Sequence, residues 1–193
     1  FCMLQGKYEF PDHSIEEVFC AIRRRQKKQF KRNKKEYERL SDHIGFIPLV
    51  MISPDDDQLI IGGSNERRKF MDMVISQFDK NYMHALIRYN RALQQRNVLL
   101  KNEKEDIDIN LLEIWEEQIT DEGMYIFERR KAFIDQFIPI FNRFYNLISR
   151  SNENVSLNYI SQLQDNDLYH LLKTNRKKDI VLGYTTVGIH RDD

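Results

Sequence analysis

Ten lysine and arginine side chains lie between Arg23 and Arg39, where only two glutamates interrupt them. Cations in such a cluster can neutralise successive phosphates of a nucleic acid, which releases condensed counterions and makes the affinity depend on salt. We therefore predict a DNA-binding surface. Its candidate residues are Arg23, Arg24, Arg25, Lys27, Lys28, Lys31, Arg32, Lys34 and Lys35. The alternative is an ordinary solvated surface, or one paired with acidic residues of the same chain.

A second group of charges lies at the start of a predicted helix and at the end of the chain. Arg67 and Arg68 oppose the dipole of that helix, so a negative partner is expected, and we favour Asp55–Asp57 over a phosphate. The closing segment His190–Asp193 could bind hydrated Mg²⁺ or pair with phosphates, although charged chain ends are usually only solvated. The candidates for phosphate or interface contact are Arg67, Arg68, His190, Arg191 and Asp192.

Motifs of a self-contained catalytic site are absent from the sequence. The glycines Gly6, Gly62 and Gly63 do not form a phosphate-binding loop, because none belongs to the G-x-x-x-x-G-K-[S/T] pattern. A nucleophile elbow and a two-histidine zinc helix are also missing. The dipeptide Asp42-His43 is more simply a structural or solvated turn than a general base. We therefore expect no catalytic residue, metal or cofactor in this chain itself.

Composition indicates a folded intracellular protein with long charged helices. The 193 residues are 41% apolar and 31% charged, and 30 basic residues balance 30 acidic ones. Cys2 and Cys20 are too few for a disulfide framework or a zinc site. Because no apolar run approaches the ~18 residues of a membrane span, we expect a cytoplasmic protein without membrane contact. The chain starts without Met and ends without a closing element, so we expect an excised fragment.

The basic run is predicted to lie on an antiparallel meander. Apolar and β-branched residues indicate strands at Phe1–Leu4 and Val18–Ile22, and Asn33-Lys34 has the residue types of a hairpin tip. A short helix or turn is expected at Leu40–Gly45. The apolar segment Phe46–Ile52 is predicted to be a strand buried on both faces.

Helical periodicity dominates the remainder of the sequence. A long run from Ser64 to Lys101 should break near Asp79, and a stripe from Leu112 to Ile148 should be interrupted by Gly123 and Pro139, with a kink at the proline. Ser64 is a candidate N-cap. The acidic segment 102–110 is expected to be a loop or helix junction. Asp165 should cap a short helix between two returning strands, which are predicted at Val155–Ile160 and Ile180–Thr186.

Several short motifs lie at characteristic positions along the sequence. They are Ile47–Val50, Ser53–Asp56, Gly62, Arg67–Asp72, Tyr89, Leu93–Asn97, Glu113–Ile119, Gly123, Arg130 and Thr185–Asp193. In this order and spacing they resemble the RecF family of bacterial DNA repair and recombination proteins. The resemblance covers Gly45–Asp193 well and the first forty residues weakly. Ile189 stands where the family's G-P-H-R-D-D motif usually has proline.

The resemblance implies a fold and a division into lobes. RecF proteins are ABC-type ATPases with heads similar to those of Rad50 and the SMC proteins. The implied class is therefore α+β, with an antiparallel or mixed sheet portion of an ABC-type head and an inserted lobe of long helices. Residues 1–63 and 152–193 would belong to the sheet lobe I, and residues 64–151 to the helical lobe II.

The resemblance also implies a function in DNA repair, recombination, replication and the SOS response. The family's phosphate loop would lie upstream of this chain and its signature and Walker B motifs downstream, so the fragment alone should lack ATPase activity. The parent protein would bind ATP and Mg²⁺. Implied partners are double-stranded DNA, RecR with RecO at gaps where recombinase is loaded, and a second copy in the ATP-bound dimer. The competing hypothesis is a helical protein-interaction module with no nucleic-acid role.

Overall fold

The computed structural model describes residues 1–102, 107–150, 152–153 and 155–193. Its internal contacts divide the chain into two compact units, Phe1–Val50 and Met51–Asp193. The first unit contains an antiparallel sheet and the second contains the long helices, so the predicted α+β class is confirmed. The assignment of 1–63, 64–151 and 152–193 to lobes of a larger head stays a prediction. Within the described residues, no helix is long and apolar enough to cross a membrane.

The sheet is a four-stranded meander whose neighbours in space are neighbours in sequence. Its strands are β1 (Cys2–Glu9), β2 (Ile15–Ile22), β3 (Gln29–Arg32) and β4 (Lys35–Glu36). Asn33 and Lys34 join β3 to β4 with φ angles of 48° and 71°, as a two-residue hairpin turn requires. The Asn33 side chain accepts a hydrogen bond from the amide of Glu17 at 2.9 Å. The predicted hairpin tip is therefore confirmed.

Five α-helices lie among the described residues of the second unit. They are α1 (Gln58–Ile61), α2 (Ser64–Phe78), α3 (Lys80–Asn102), α4 (Ile109–Ser149) and α5 (Leu168–Leu182). Short 3₁₀ helices occur at Leu40–His43, Pro54–Asp57, Gln162–Gln164 and Ile189–Arg191. The predicted break at Asp79 is confirmed, and its carboxylate accepts the amide hydrogen bond of Tyr82 at 2.9 Å.

Helices α3 and α4 form the main packing interface of the helical unit, and α2 and α5 complete it. Tyr89 of α3, Ile126 of α4 and Leu168 of α5 are buried in the shared core. The helices come close together at Gly123, where an added Cβ would lie 2.6 Å from Leu168 Cδ2 and 3.1 Å from Tyr89 Cε2. Only glycine therefore fits there without a shift of its neighbours.

Three predicted strands are not formed. Phe46–Ile52 has no strand pairing, and its residues Val50 and Ile52 are each 87% exposed. Residues 180–182 continue α5, which ends at Gly183 in the left-handed conformation. Val155–Ile160 is not a strand, and its backbone pairing within the described residues consists of two hydrogen bonds between Ile160 and Asp193. Short apolar runs do not distinguish strands from helix ends or extended loops, which explains these errors.

The long helix α4 differs from its prediction in continuity. It passes through Gly123 and Pro139 without interruption, because its other backbone hydrogen bonds and its packing outweigh the donor that proline lacks. The kink expected at Pro139 stays a prediction. Of the acidic segment 102–110, residues 103–106 lie outside the described part of the chain. Asp108 caps α4 by accepting from the amides of Asn110 and Leu111.

Two other helix starts were misplaced by the sequence patterns. The N-cap of α5 is Asp167 and not Asp165, since the Asp167 carboxylate accepts from the His170 amide at 2.8 Å. The helix that follows has 15 residues and is not short. Ser64 is the first residue of α2, and Gly63 occupies its N-cap. A capping box is formed by Ser53 and Asp56 at the 3₁₀ helix Pro54–Asp57.

Candidate functional site

The predicted DNA-binding residues follow the β2–β3–β4 hairpins. Arg23, Arg24, Arg25, Lys27 and Lys28 occupy the turn between β2 and β3, and all five are exposed. Lys31 and Arg32 lie on β3, Lys34 at the hairpin tip and Lys35 on β4. Because β3 has only four residues, about 14 Å of strand separates the basic turn from the basic tip. We name these nine residues the basic hairpin.

The cations on the two faces of the sheet differ in the contacts that they make. Lys31 lies opposite Phe19 on one face, with its Nζ 5.8 Å from the ring centroid. Arg32 points to the other face, where it donates to both carboxylate oxygens of Glu16 at 2.6 and 2.9 Å. Its guanidinium also lies 3.8 Å from the ring centroid of Phe46. Arg32 therefore holds the sheet unit together, whereas Lys31 is less restrained.

The dipeptide Asp42-His43 lies in the same unit and serves packing. The His43 ring is 4.9 Å from the ring of Phe30 and forms a 3.2 Å hydrogen bond with the hydroxyl of Tyr37. Burial, with a smaller contribution from Arg32, lowers the pKa of His43. A neutral imidazole enclosed by aromatic rings fits the structural interpretation of this dipeptide.

Arg67 finds its negative partner at the end of the chain. Its Nε and Nη2 donate to the two carboxylate oxygens of Asp193 at 2.5 and 3.0 Å, and its Nη1 donates to the carbonyls of Leu59 and Gly62. The prediction that Asp55–Asp57 is the negative partner of Arg67 is therefore wrong. The guanidinium of Arg68 donates to the backbone carbonyl of Asp192.

Arg130 is the centre of a buried ionic network that joins three parts of the helical unit. Its Nη2 donates to Asp72 of α2 at 2.9 and 3.1 Å, and its Nη1 donates to Asp192 Oδ2 at 3.1 Å. The hydroxyl of Tyr159 donates to the same Asp192 oxygen at 2.5 Å, and Tyr82 donates to Asp72. Burial opposes the charge of Arg130, but Asp72, Tyr82 and Tyr159 together outweigh it, so the pKa of Arg130 is raised.

His190 occupies the edge of this network as a neutral side chain. Its Nε2 lies 3.2 Å from the carbonyl of Thr185, which can only accept, so Nε2 carries the proton. Nδ1 then accepts from the hydroxyl of Tyr89 at 2.8 Å. Burial, together with the charges of Arg191 and Arg68, lowers the pKa of His190 to about 4. The imidazole is therefore uncharged near neutral pH.

The remaining residues of the closing segment also make internal bonds. Arg191 is exposed and donates to the Thr185 carbonyl at 3.0 Å, and its guanidinium lies 5.6 Å from the Tyr184 ring. The carboxylates of Asp192 and Asp193 both face guanidinium groups. No group of three or more metal-ligating side chains occurs in the described ranges. Contact of Arg67, Arg68, His190, Arg191 and Asp192 with phosphate or a partner stays a prediction.

A second buried network was missed by the sequence patterns. Arg96 is fully buried, and its guanidinium pairs with Glu116 at 3.0 Å and with Asp179 at 2.8 Å. Arg176 closes the network by donating to Glu116 at 2.5 Å. The available signal was helical spacing, because Arg96 lies four residues after Ala92 and four before Leu100, which are both buried. Its complete enclosure indicates a structural role.

Curated relatives match the whole chain. It is 54% identical over 193 residues to the DNA replication and repair protein RecF of Bacteroides thetaiotaomicron, and 55% identical to that of Bacteroides fragilis. The RecF of Parabacteroides distasonis is 53% identical over 192 residues. The chain covers 52% of each of these proteins and so spans about half their length. No family model matches the chain.

Solved structures agree with these sequence matches. The chain superposes on the recombination mediator protein RecF with ATP, in the RecFOR pathway, with a TM-score of 0.92 and 28% identity. A second RecF structure, named with ATPrS, gives a TM-score of 0.89 and 27% identity. Each match covers 99% of this chain and 54% of the solved one. None of these relatives supports a helical interaction module without a nucleic-acid role. Over its whole length, the chain belongs to the RecF family of DNA replication and repair proteins.

Proposed function

We propose that this chain contributes double-stranded DNA contact to a RecF-type repair and recombination ATPase, through the basic hairpin. The observation that carries the proposal is the exposure of seven cations around one short strand: Arg23, Arg24, Arg25, Lys27, Lys28, Lys34 and Lys35. Lys31 adds an eighth that is partly exposed. Double-stranded DNA carries one negative charge per about 1.7 Å of its axis, so such a cluster can meet several phosphates at once.

The proposed contact is with the DNA backbone and not with base edges. The cations lie on turns and a short strand, and no helix in the sheet unit is long enough to enter a major groove. Backbone contacts position a protein on DNA without selecting a sequence. This suits a protein that acts at gaps wherever they arise, and a role on bacterial DNA implies a cytoplasmic location.

The part of the proposal that involves ATP concerns the complete parent protein. The solved relatives are named as RecF with ATP or ATPrS, whereas this chain contains no phosphate-binding loop. We therefore assign ATP, Mg²⁺ and ATP-dependent dimerisation to the complete protein, and no ATPase activity to this chain alone. The RecFOR pathway named for those relatives supports RecR and RecO as partners in loading recombinase.

The experiment that tests the proposal is the binding of the chain to a fluorescent DNA duplex, followed by anisotropy. The test variant changes Arg23, Arg25, Lys28 and Lys31 to Glu. A matched control makes the same charge change at four exposed cations of the helical unit, Lys131, Arg143, Lys177 and Lys178. We expect the first variant to lose binding and the control to keep most of it. Equal losses in both variants would mean that net charge, and not the basic hairpin, determines binding.

A further inference from the structure

A cavity of about 230 Å³ opens beside the Arg130 network, between α2 and α3. Its wall is rich in cationic and amide side chains. These are Asn65, Arg68 and Lys69 of α2, Asn90 of α3 and Arg130 of α4, and the neutral imidazole of His190 lies beside them. Drug-sized ligands occupy pockets of roughly 300–1,000 Å³, so this cavity suits a smaller group.

The cations near this cavity differ in how their charges are balanced. Arg130 pairs with both Asp72 and Asp192, and Lys69 pairs with Glu66 at 2.8 Å on the surface. Arg68 has no carboxylate partner among the described residues, since its hydrogen bond goes to a backbone carbonyl. Among the cations of the cavity wall, Arg68 is thus the one without direct contact with a carboxylate in the described part of the chain.

The environment of Arg68 is unfavourable for that charge. Arg68 is partly buried, and this burial, together with the charge of Arg130, lowers its pKa even though Asp192, Asp193 and Asp72 act in the opposite direction. Asp72 is the acidic residue of the cavity wall, but its carboxylate already accepts hydrogen bonds from Arg130 and Tyr82. A desolvated cation that lacks a direct counter-charge is costly, and a bound anion would remove that cost.

The hydrogen bonds leave the binding edge of Arg68 available. Its described bond uses Nη1, so Nε and Nη2 form the free edge that can grip an oxyanion with two parallel hydrogen bonds. Lys69 and Asn90 line the same cavity and can donate to further oxygens. The ion pair of Lys69 with Glu66 is exposed and therefore easily exchanged for another anion.

We propose that this cavity binds one phosphate-type oxyanion, with Arg68 as its charged anchor and Lys69 and Asn90 as additional donors. The volume fits a single phosphoryl group and excludes a complete nucleotide. No residue of this site belongs to the basic hairpin, so the phosphate proposal can be tested independently of the proposed DNA contact. The group is supplied either as free phosphate or as the terminal phosphate of a nucleotide whose remainder stays outside.

The test is the thermal unfolding of the chain in inorganic phosphate and in chloride at equal ionic strength, with ATP as a second arm. Phosphate at about ten times its Kd should raise the unfolding midpoint by roughly 3–6 °C. Arg68→Gln should abolish the increase, and Lys177→Gln, at an exposed site away from the cavity, should retain it. An increase with ATP but not with phosphate would identify a nucleotide as the source.

A second variant guards against simple misfolding of the first. Asn90 is exposed and lies on a different helix, so Asn90→Asp should leave the fold intact while placing a negative charge at the cavity wall. It should weaken the phosphate effect at least tenfold in apparent Kd, with an unchanged circular dichroism spectrum. The proposal is overturned if neither phosphate nor ATP raises the midpoint of the wild type, or if both variants respond as the wild type does.

Discussion

Arg130 of α4 and Asp192 near the end of the chain form a buried ion pair, with Nη1 3.1 Å from Oδ2. Arg130 is 2% exposed and Asp192 is 1% exposed. The same guanidinium holds Asp72 of α2, so one side chain connects two helices and the closing segment. Because both charges are removed from water, the loss of either partner leaves the other uncompensated.

The first prediction concerns the energetic role of Arg130. Arg130→Met should lower the free energy of unfolding by about 3–5 kcal/mol, since it leaves two carboxylates without their cation. The neighbouring Arg129 provides a matched control, because it pairs with Asp79 at 2.8 Å while remaining 43% exposed. Arg129→Met should cost about 1 kcal/mol or less. Urea denaturation measures both values, and similar costs would contradict a structural role for the buried network.

The second prediction concerns pH. The pKa of His190 is about 4 in the folded chain, below the value of about 6.5 expected when unfolded. As pH falls from 6.5 towards 4, the unfolded state binds a proton that the folded state does not. Stability should therefore be complete above pH 6.5 and fall by at most about 3 kcal/mol towards pH 4.

The pH effect of His190 can be separated from other titrating groups by substitution. Burial raises the pKa of Asp192, so protonation of Asp192 stabilises the folded chain as the pH falls. Burial lowers the pKa of His43, so protonation of His43 lowers the stability, as protonation of His190 does. Both are common to the wild type and to His190→Gln, so the difference between their unfolding curves isolates His190. A pH-independent difference between the wild type and His190→Gln would refute the assignment.

The third prediction concerns the contact of α3, α4 and α5 at Gly123. Gly123→Ala gains about 1 kcal/mol of helix propensity but places a methyl group 2.6 Å from Leu168 Cδ2. Overpacking of this kind costs roughly 1–3 kcal/mol, so we expect a small net destabilisation. Leu168→Ala should relieve the clash, and a double-mutant cycle should show a favourable coupling of about 1 kcal/mol or more. Additive effects would mean that the helices separate without strain.

The fourth prediction concerns the hairpin tip. Lys34 has a φ of 71°, which is strained for a residue with a side chain, so Lys34→Gly should stabilise the sheet unit by about 0.5–1 kcal/mol. Lys35 lies on β4 and is not in the left-handed region, so Lys35→Gly should destabilise it. Hydrogen exchange of the β2 amides measures both effects. Destabilisation by Lys34→Gly would show that its side chain contributes more than its strain costs.

Local patterns were sufficient where one chemical preference determines the structure. Asn33 tolerates a positive φ, which marks the hairpin tip, and the apolar stripe from Leu112 to Ile126 marks the buried face of α4. The strands predicted at Phe46–Ile52 and Ile180–Thr186 are wrong, because a short apolar run carries no information about which strand will pair with it. Their real states depend on tertiary contacts.

The ionic networks show why the site could be predicted only in part. Arg67 at the start of α2 required an anion, and this was inferred correctly from the helix dipole. Its identity was not inferable, since Asp193 lies 126 positions later while Asp55–Asp57 is nearby in sequence. Likewise, Arg32 was grouped with the other hairpin cations, although Glu16 and Phe46 give it an internal role.

The measurement that tests the central claim most directly is the salt dependence of duplex DNA binding, compared between two variants that each lack one pair of lysines. Lys31→Gln with Lys34→Gln removes two proposed phosphate contacts, and Lys177→Gln with Lys178→Gln removes equal charge from the exposed face of α5. The slope of log K against log salt should become shallower by about 1.8 for the first pair and stay unchanged for the second. Equal slopes for both pairs, or binding that does not depend on salt, would contradict DNA contact by the basic hairpin.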